Sequence, residues 1–124
     1  MKTGMGGRTK IAGTAEPDGQ EMTLTKTQIL VLAATAGFTG PDQNTAAAIA
    51  LAESSGNPAV IGDITLGDSI GLWQINLRWH PEYTEAMLLD PQTNANAAYL
   101  IYKEADHSFT PWSTFKSGAY KAYL

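Results

Sequence analysis

AAAIALAESSGNP, residues 46–58, is the stretch of the sequence that decides the fold. It begins with an uninterrupted apolar run, Glu53 is its first charged residue, and Gly56 and Pro58 follow as helix-ending residues. A helix without a polar face is usually buried on every side. The stretch therefore predicts a central, buried helix that carries a carboxyl group at its C-terminal end.

The position of Glu53 predicts a raised pKa for its carboxyl group. Burial disfavours the ionised form of a carboxyl group, and so does the negative end of a helix dipole. Asp63 or Asp68 would raise the pKa further if the fold brings either of them close. A carboxylic acid that stays protonated near neutral pH can act as a general acid. The alternative is an ordinary glutamate that is exposed in the last turn of its helix. The spacing of the apolar residues alone does not decide between a buried acid and an exposed one.

The rest of the chain predicts a mostly helical, α+β protein. Residues 1–22 are rich in Gly, Thr and charge and have no apolar period, which predicts a flexible arm or linker. Residues 23–124 are expected to form one domain. Its first helix should begin with a capping box of Thr25 and Gln28 and end at Gly37.

Turn signals place the remaining elements. Pro41 and Asp42 indicate a turn over residues 38–43, so the apolar helix should start after Asn44 or Thr45. Gly-Asp pairs between β-branched residues make residues 59–69 a short, irregular hairpin or a long loop. Residues 88–91 are expected to be a break, and residues 94–106 a further helix, because their apolar residues recur at helical spacing.

Composition excludes several classes of protein. The 124 residues include no cysteine, so a disulfide framework and a thiolate metal site are excluded. The net charge of −4 argues against nucleic-acid binding. His80 and His107 have no metal-binding motif around them, so we expect neither a metal nor a cofactor. No apolar run is long enough for membrane insertion, and the N-terminus does not match a secretory signal peptide.

Two further motifs have competing interpretations. GDSIG, residues 67–71, matches the nucleophile elbow of esterases, but that site needs a strand, a helix and a much longer chain, so a turn around Ser69 is favoured. Gln74 and Asn76 lie beside Trp73. Two amides and an indole suit sugar hydroxyls, acetamido groups and the apolar face of a sugar, and they suit a buried Trp73 in the core equally well.

Four segments, in this order, carry a resemblance to a known family: ALAESSGNP, SIGLWQIN, DPQTNANAAYLIY and FTPWSTFKSGAYKAYL. Together they resemble the lysozyme-like lytic transglycosylase (SLT-type) domains, above all the versions found in phage and actinobacterial cell-wall enzymes. The resemblance covers about residues 24–124. It implies a lysozyme-like fold, in which a helical body and a small β-hairpin-like region flank a cleft for peptidoglycan glycan strands.

The resemblance also implies roles for individual residues. Glu53 matches the catalytic acid/base of the family. In the family, a tyrosine late in the domain commonly forms a hydrogen bond near that Glu, and Tyr120 is its match here. Because Lys121 departs from the family pattern after this tyrosine, Tyr99 and Tyr102 are alternatives. Residues expected to line the glycan cleft are Ser69, Gly71, Leu72, Gln74, Ile75 and Asn76.

The function that the resemblance implies is cleavage of the β-1,4 bond between N-acetylmuramic acid and N-acetylglucosamine. In a lytic transglycosylase, Glu53 alone would suffice. In an inverting muramidase, a second carboxylate, Asp63 or Asp68, would activate water across a gap of about 6.5–9.5 Å. The third possibility is a non-catalytic peptidoglycan-binding or structural module. We expect the protein to act on the bacterial cell wall as a virion-associated, holin-released or otherwise exported part of a larger assembly, such as a phage tail or endolysin.

Overall fold

The computed structural model describes residues 23–124, and the arm expected at residues 1–22 lies outside the described residues. The described part is mostly helical with one small sheet, so the predicted fold class is confirmed. The helices are α1 (Lys26–Ala36), α2 (Pro41–Ser54), α3 (Glu85–Leu89), α4 (Pro91–Glu104) and α5 (Ser113–Ser117), with 3₁₀ turns at Ile64–Leu66 and Ala119–Tyr123. The strands are β1 (Ile61–Gly62), β2 (Ser69–Ile70) and β3 (Ile75–Asn76).

The capping box predicted for α1 is confirmed. The Thr25 hydroxyl accepts the backbone N–H of Gln28 over 3.2 Å, and Gln28 Oε1 accepts the backbone N–H of Thr25 over 2.8 Å. Gly37 caps the other end with a φ of 133°. A Cβ atom at Gly37 would lie 2.7 Å from the ring of Tyr99, so this glycine also lets α4 approach closely.

Helix α2 starts earlier than predicted. The turn expected over residues 38–43 is wrong in its second half, because Pro41 and Asp42 belong to the first turn of the helix. Proline suits the first helical position because its ring fixes φ near the helical value. The N–H that it lacks would have no partner within the helix at that position. For the same reason the break expected at residues 88–91 contains the start of α4 at Pro91, which Asp90 caps.

The β-like region is confirmed and is larger than predicted. Strands β1, β2 and β3 form an antiparallel sheet in that order. Ile70 lies opposite both Ile61 and Ile75, and Ser69 lies opposite Asn76. The segment after Gly71 is the tight turn that joins β2 to β3.

Helix α2 is the centre of the hydrophobic core, as its apolar run predicted. Residues 46–50 are fully buried. The indole Nε1 of Trp73 donates a 3.0 Å hydrogen bond to the carbonyl oxygen of Ala46. Trp112 Nε1 in turn donates to the carbonyl oxygen of Trp73 over 2.9 Å. Two tryptophans thus join the β2–β3 turn to α2 and to the segment before α5.

The side chain of Asn94, on α4, holds the β2–β3 turn from the other side. It is fully buried. Its Nδ2 donates to the carbonyl oxygens of Ile70 and Leu88 over 2.8 and 2.9 Å, and its Oδ1 accepts the backbone N–H of Trp73 over 2.9 Å. Because every polar atom of this amide is bonded, the turn has a fixed position relative to the helical body.

Across residues 23–124, no helix combines the length and apolar character needed to cross a membrane.

Candidate functional site

A cleft of about 230 Å³ opens where the end of α2, the sheet and the segment leading into α5 meet. A smaller depression of about 110 Å³ continues it past Trp79 and Pro111 towards His80. The residues that line the main cleft are Glu53, Asp63, Ser69, Gln74, Asn76, Trp79, Pro111, Trp112 and Ser113. The sequence analysis had singled out five of these positions as site residues, and the fold brings those five together.

Glu53 lies in the last turn of α2 and is half-buried in the cleft wall. The hydroxyl of Thr114, on α5, donates a 2.9 Å hydrogen bond to Glu53 Oε2. Burial raises the pKa of the Glu53 carboxyl group, the hydrogen bonds from Thr114 lower it, and the negative charge of Asp63 raises it slightly; the net direction is upward. The predicted rise in pKa and its main cause, burial, are therefore confirmed.

The two aspartates considered as a second carboxylate have different positions. Asp63 lines the cleft with Glu53, whereas Asp68 is not among the residues that line it. Asp63 has a left-handed backbone with a φ of 50°, a conformation that Asp tolerates better than most residues. Within residues 23–124, no hydrogen bond orients the carboxylate of Asp63.

Gln74 forms part of the cleft wall with one atom left free for a ligand. Its Nε2 donates to the carbonyl oxygens of Val60 and Gly71, each over 3.1 Å. Its Oε1 accepts no hydrogen bond within the described part of the chain. A Cβ at Gly62 would lie 2.6 Å from that oxygen, so the glycine leaves room for it. The amide therefore fixes the turn through its Nε2, and its Oε1 has no partner among the described residues.

Asn76 has both of its amide hydrogens occupied by the protein. Its Nδ2 donates to the carbonyl oxygen of Gly67 over 2.9 Å and to Ser69 Oγ over 3.1 Å. Its Oδ1 accepts the backbone N–H of Arg78 over 2.9 Å and that of Trp79 over 3.4 Å. This arrangement makes Asn76 a positioning residue for the loop that follows β3, and Asn76 also lines the cleft.

Three other residues expected to line the cleft lie deeper. Leu72 has no exposed surface, so the structure corrects its assignment: its side chain packs in the core behind the cleft wall. Gly71 is also buried, and a Cβ there would lie 2.5 Å from Asn94 Nδ2. Ile75 is buried, and it lines only the smaller depression. Of this segment, Gln74 and Asn76 line the main cleft, whereas Leu72 and Ile75 are buried.

The tyrosines expected near Glu53 make their ring contacts and hydrogen bonds with other residues. Tyr99 packs edge-on against Phe38, and Tyr120 stacks on Phe115, each with ring centroids 5.1 Å apart. The hydroxyl of Tyr102 donates a hydrogen bond to Asp42, at the other end of α2 from Glu53. In the described part of the chain, none of these hydroxyls bonds to Glu53, whereas the hydroxyl of Thr114 does.

Sequence reasoning missed Thr114, Trp79 and the segment of Pro111, Trp112 and Ser113 as site residues. Trp79 is 70% exposed, which is unusual for a tryptophan. Thr114 had no local signal, since its partner lies 61 residues away in the chain.

The nucleophile-elbow interpretation of GDSIG fails on geometry. Ser69 lies in a two-residue strand that leads into a turn, where an elbow requires a helix. Its Oγ accepts a hydrogen bond from Asn76, and no histidine of the described residues bonds to it. In the same part of the chain no cluster of metal-ligating side chains is present. What remains is a carboxylic acid of raised pKa in a polar cleft with an exposed indole, a constellation suited to protonating a leaving group.

The comparisons with known proteins agree with this geometry. A family model described as "Lysozyme like domain" matches residues 30–114, which is more than half of the chain. The matched span contains Glu53, the whole sheet, Trp79 and Thr114. No curated protein and no solved structure gives a significant match.

Proposed function

The chain belongs to the family of lysozyme-like domains, and from that premise we propose that it is a peptidoglycan-degrading glycosidase with Glu53 as its general acid. Its substrate is the β-1,4 bond between N-acetylmuramic acid and N-acetylglucosamine in the cell wall. The observation that carries the proposal is the half-buried Glu53 in the cleft wall, with its raised pKa and its hydrogen bond from Thr114. A raised pKa keeps a larger share of such groups protonated, and a protonated carboxyl group can donate its proton to a glycosidic oxygen as the bond breaks.

The proposed reaction is that of a lytic transglycosylase. Glu53 donates its proton to the leaving oxygen, and the positive charge that develops on the muramyl ring is stabilised in the acidic cleft. The ionised Glu53 then accepts the proton of the muramyl 6-hydroxyl, whose oxygen closes onto the anomeric carbon. This ending needs one carboxylate, which agrees with the absence of any hydrogen bond from residues 23–124 that would hold Asp63 in one orientation.

An inverting muramidase is the second candidate, and the position of Asp63 is the observation in its favour. Asp63 shares the cleft with Glu53 and contributes to its raised pKa. A carboxylate on the opposite side of the sugar could activate a water molecule, as inverting glycosidases require. Asp68 is the weaker candidate because it does not line the cleft.

Digestion of purified sacculi tests the proposal, with mass spectrometry of the soluble fragments. Anhydro-muramyl ends identify the transglycosylase, and reducing ends identify the hydrolase. Glu53→Gln should lower the rate of fragment release by about 10²- to 10⁴-fold, the range for loss of a general acid. Asp63→Asn should retain most activity, and a loss of about 10²-fold there would favour the muramidase.

Controls separate catalysis from folding. Glu104→Gln, at an exposed position at the end of α4, removes a carboxylate outside the cleft and should leave the rate unchanged. Circular dichroism checks that each variant is folded. If the wild-type protein binds sacculi and releases no fragments, the alternative of a non-catalytic binding or structural module is correct.

The resemblance to phage and actinobacterial cell-wall enzymes supports a place in a larger wall-degrading assembly, such as a phage tail or endolysin. Immunodetection in purified virions and in host-cell fractions tests this setting separately from the activity.

A further inference from the structure

A cation and an aromatic ring stand together at the rim of the cleft. The guanidinium carbon of Arg78 lies 5.5 Å from the ring centroid of Trp79, a cation–π distance. Trp79 lines both the main cleft and the smaller depression, and it stays 70% exposed with Arg78 beside it. Arg78 is exposed, and no carboxylate of residues 23–124 pairs with it. The five donor N–H groups of this guanidinium are thus available to a ligand.

The protein holds this pair in place. Asn76 Oδ1 accepts the backbone N–H groups of both residues, over 2.9 Å for Arg78 and 3.4 Å for Trp79. Gly67 lies beneath the arginine, since a Cβ there would be 2.7 Å from Arg78 Cβ. A fixed backbone reduces the conformational entropy that Arg78 loses when it binds a ligand.

The positive charge of Arg78 complements the negative charge of the cleft. Among the described residues that line the cleft, none is a lysine or an arginine, while Asp63 is acidic and Glu53 becomes negative once it has given up its proton. The glycan proposed as substrate carries carboxylates on its muramyl residues, so an acidic cleft repels it when these carboxylates approach. A guanidinium at the rim offsets that repulsion, and it matches a carboxylate with paired hydrogen bonds.

We propose that Arg78 and Trp79 form an anion-reading subsite, in which Arg78 pairs with a carboxylate carried by the muramyl substituent and Trp79 packs against the adjacent apolar surface. The inference rests on the proposed function, since it concerns the same substrate. The carboxylate has two sources. In peptide-free strands it is the lactyl group itself; in peptide-bearing strands the lactyl group is an amide, and the carboxylate belongs to the stem peptide.

Equilibrium binding to three soluble ligands tests the subsite without requiring cleavage. The ligands are an uncharged chitooligosaccharide, peptide-free glycan strands and peptide-bearing glycan strands. Arg78→Ala should weaken binding of one or both muramyl ligands by about three- to tenfold and change chitooligosaccharide binding less than twofold. The muramyl ligand whose affinity falls identifies the source of the carboxylate. Trp79→Ala should weaken all three, because its surface contacts the sugar whatever the charge.

Lys103→Ala is the matched control. Lys103 is also an exposed cation over an aromatic ring, with its Nζ 5.7 Å from the ring centroid of Tyr99, and neither residue lines the cleft. Its variant should bind all three ligands as the wild type does. Arg78→Lys should keep part of the affinity, since a lysine supplies the charge without the paired donors.

Two results would overturn the inference. Equal loss of affinity for charged and uncharged ligands in Arg78→Ala would mean that the arginine only supports the ring, and unchanged affinity for both muramyl ligands would mean that it does not contact them. Both outcomes differ from failure of the proposed function, which appears as absent fragment release by the wild-type protein. Raising the salt concentration gives a further check, because the advantage of wild type over Arg78→Ala should shrink as the ion pair is screened.

Discussion

Thr114 Oγ1 donates a 2.9 Å hydrogen bond to Glu53 Oε2 and so opposes the effect of burial on the Glu53 carboxyl group. Burial favours the protonated form, while a donor to the carboxylate favours the ionised form. The two effects together leave the pKa of Glu53 raised. The hydrogen bond therefore lowers the pKa of the group that we propose as proton donor. Removing this bond should raise that pKa.

Replacing Thr114 with valine should raise the pKa of Glu53 further. Valine has nearly the same shape but cannot donate to the carboxylate, so the ionised form loses a stabilising bond. Because a general acid works in its protonated form, the alkaline limb of the rate–pH profile should move to higher pH. Measurement of fragment release across the pH range checks this, and Thr114→Ser, which keeps the hydroxyl, should leave the limb where it is. A shift of the limb to lower pH in Thr114→Val would contradict the argument.

Glu53→Gln should make the folded protein more stable at neutral pH. The folded-state pKa of Glu53 lies above the ordinary value of 4.5 for a glutamate, so the folded state binds more protons than the unfolded state between these two pKa values. The stability that protonated Glu53 supplies is complete below 4.5 and is lost as the pH rises through the folded pKa. The amide never ionises, so it avoids that loss.

Thermal unfolding of wild type and Glu53→Gln, at several pH values, measures the effect. The difference in Tm should be largest at neutral pH and shrink below 4.5. The control, Glu104→Gln, should show no such trend, because Glu104 is exposed. A difference in Tm that grows as the pH falls would have the wrong sign.

Asn94→Ala should lower the free energy of unfolding by about 2–3 kcal/mol, because it leaves buried backbone groups unsatisfied. The groups concerned are the carbonyl oxygens of Ile70 and Leu88 and the N–H of Trp73. Urea denaturation measures the loss. Asn96→Ala, at an exposed position on the same helix, should change stability by less than about 0.5 kcal/mol. Similar losses in both variants would show that the Asn94 bonds are not the cause.

One tyrosine should titrate well above the usual range. The hydrogen bond from Tyr102 to Asp42, followed by burial, raises the pKa of Tyr102 to about 12. Because the folded pKa lies above the ordinary value of 10.0 for a tyrosine, the stability from this bond is present below pH 10.0 and is lost as the pH rises through about 12. Ultraviolet titration should show the late step in wild type and not in Tyr102→Phe, which should also lose about 1 kcal/mol of stability. A late step that survives in Tyr102→Phe would belong to another tyrosine.

Several features of this protein could be predicted from local sequence. The capping box of α1 needs only Thr25 and Gln28, which are neighbours on one turn. The burial of α2 follows from its unbroken apolar run, and the position of Glu53 at the end of that run predicts the direction of its pKa shift. Helix starts at Pro41 and Pro91 were misplaced, because a proline signals a turn and a first helical position equally well.

The sequence by itself determined the helical class, the buried central helix and the acid at its end, since these depend on residues a few positions apart. Only the tertiary structure decided what surrounds that acid. Thr114 reaches Glu53 across 61 residues of chain, and Asp63 rather than Asp68 shares its cleft. The amides of Gln74 and Asn76 looked free for sugars in the sequence, and the fold uses most of their hydrogen-bonding capacity to fix its own turns. Local patterns specify which faces are apolar; which polar groups remain free depends on partners that only packing brings together.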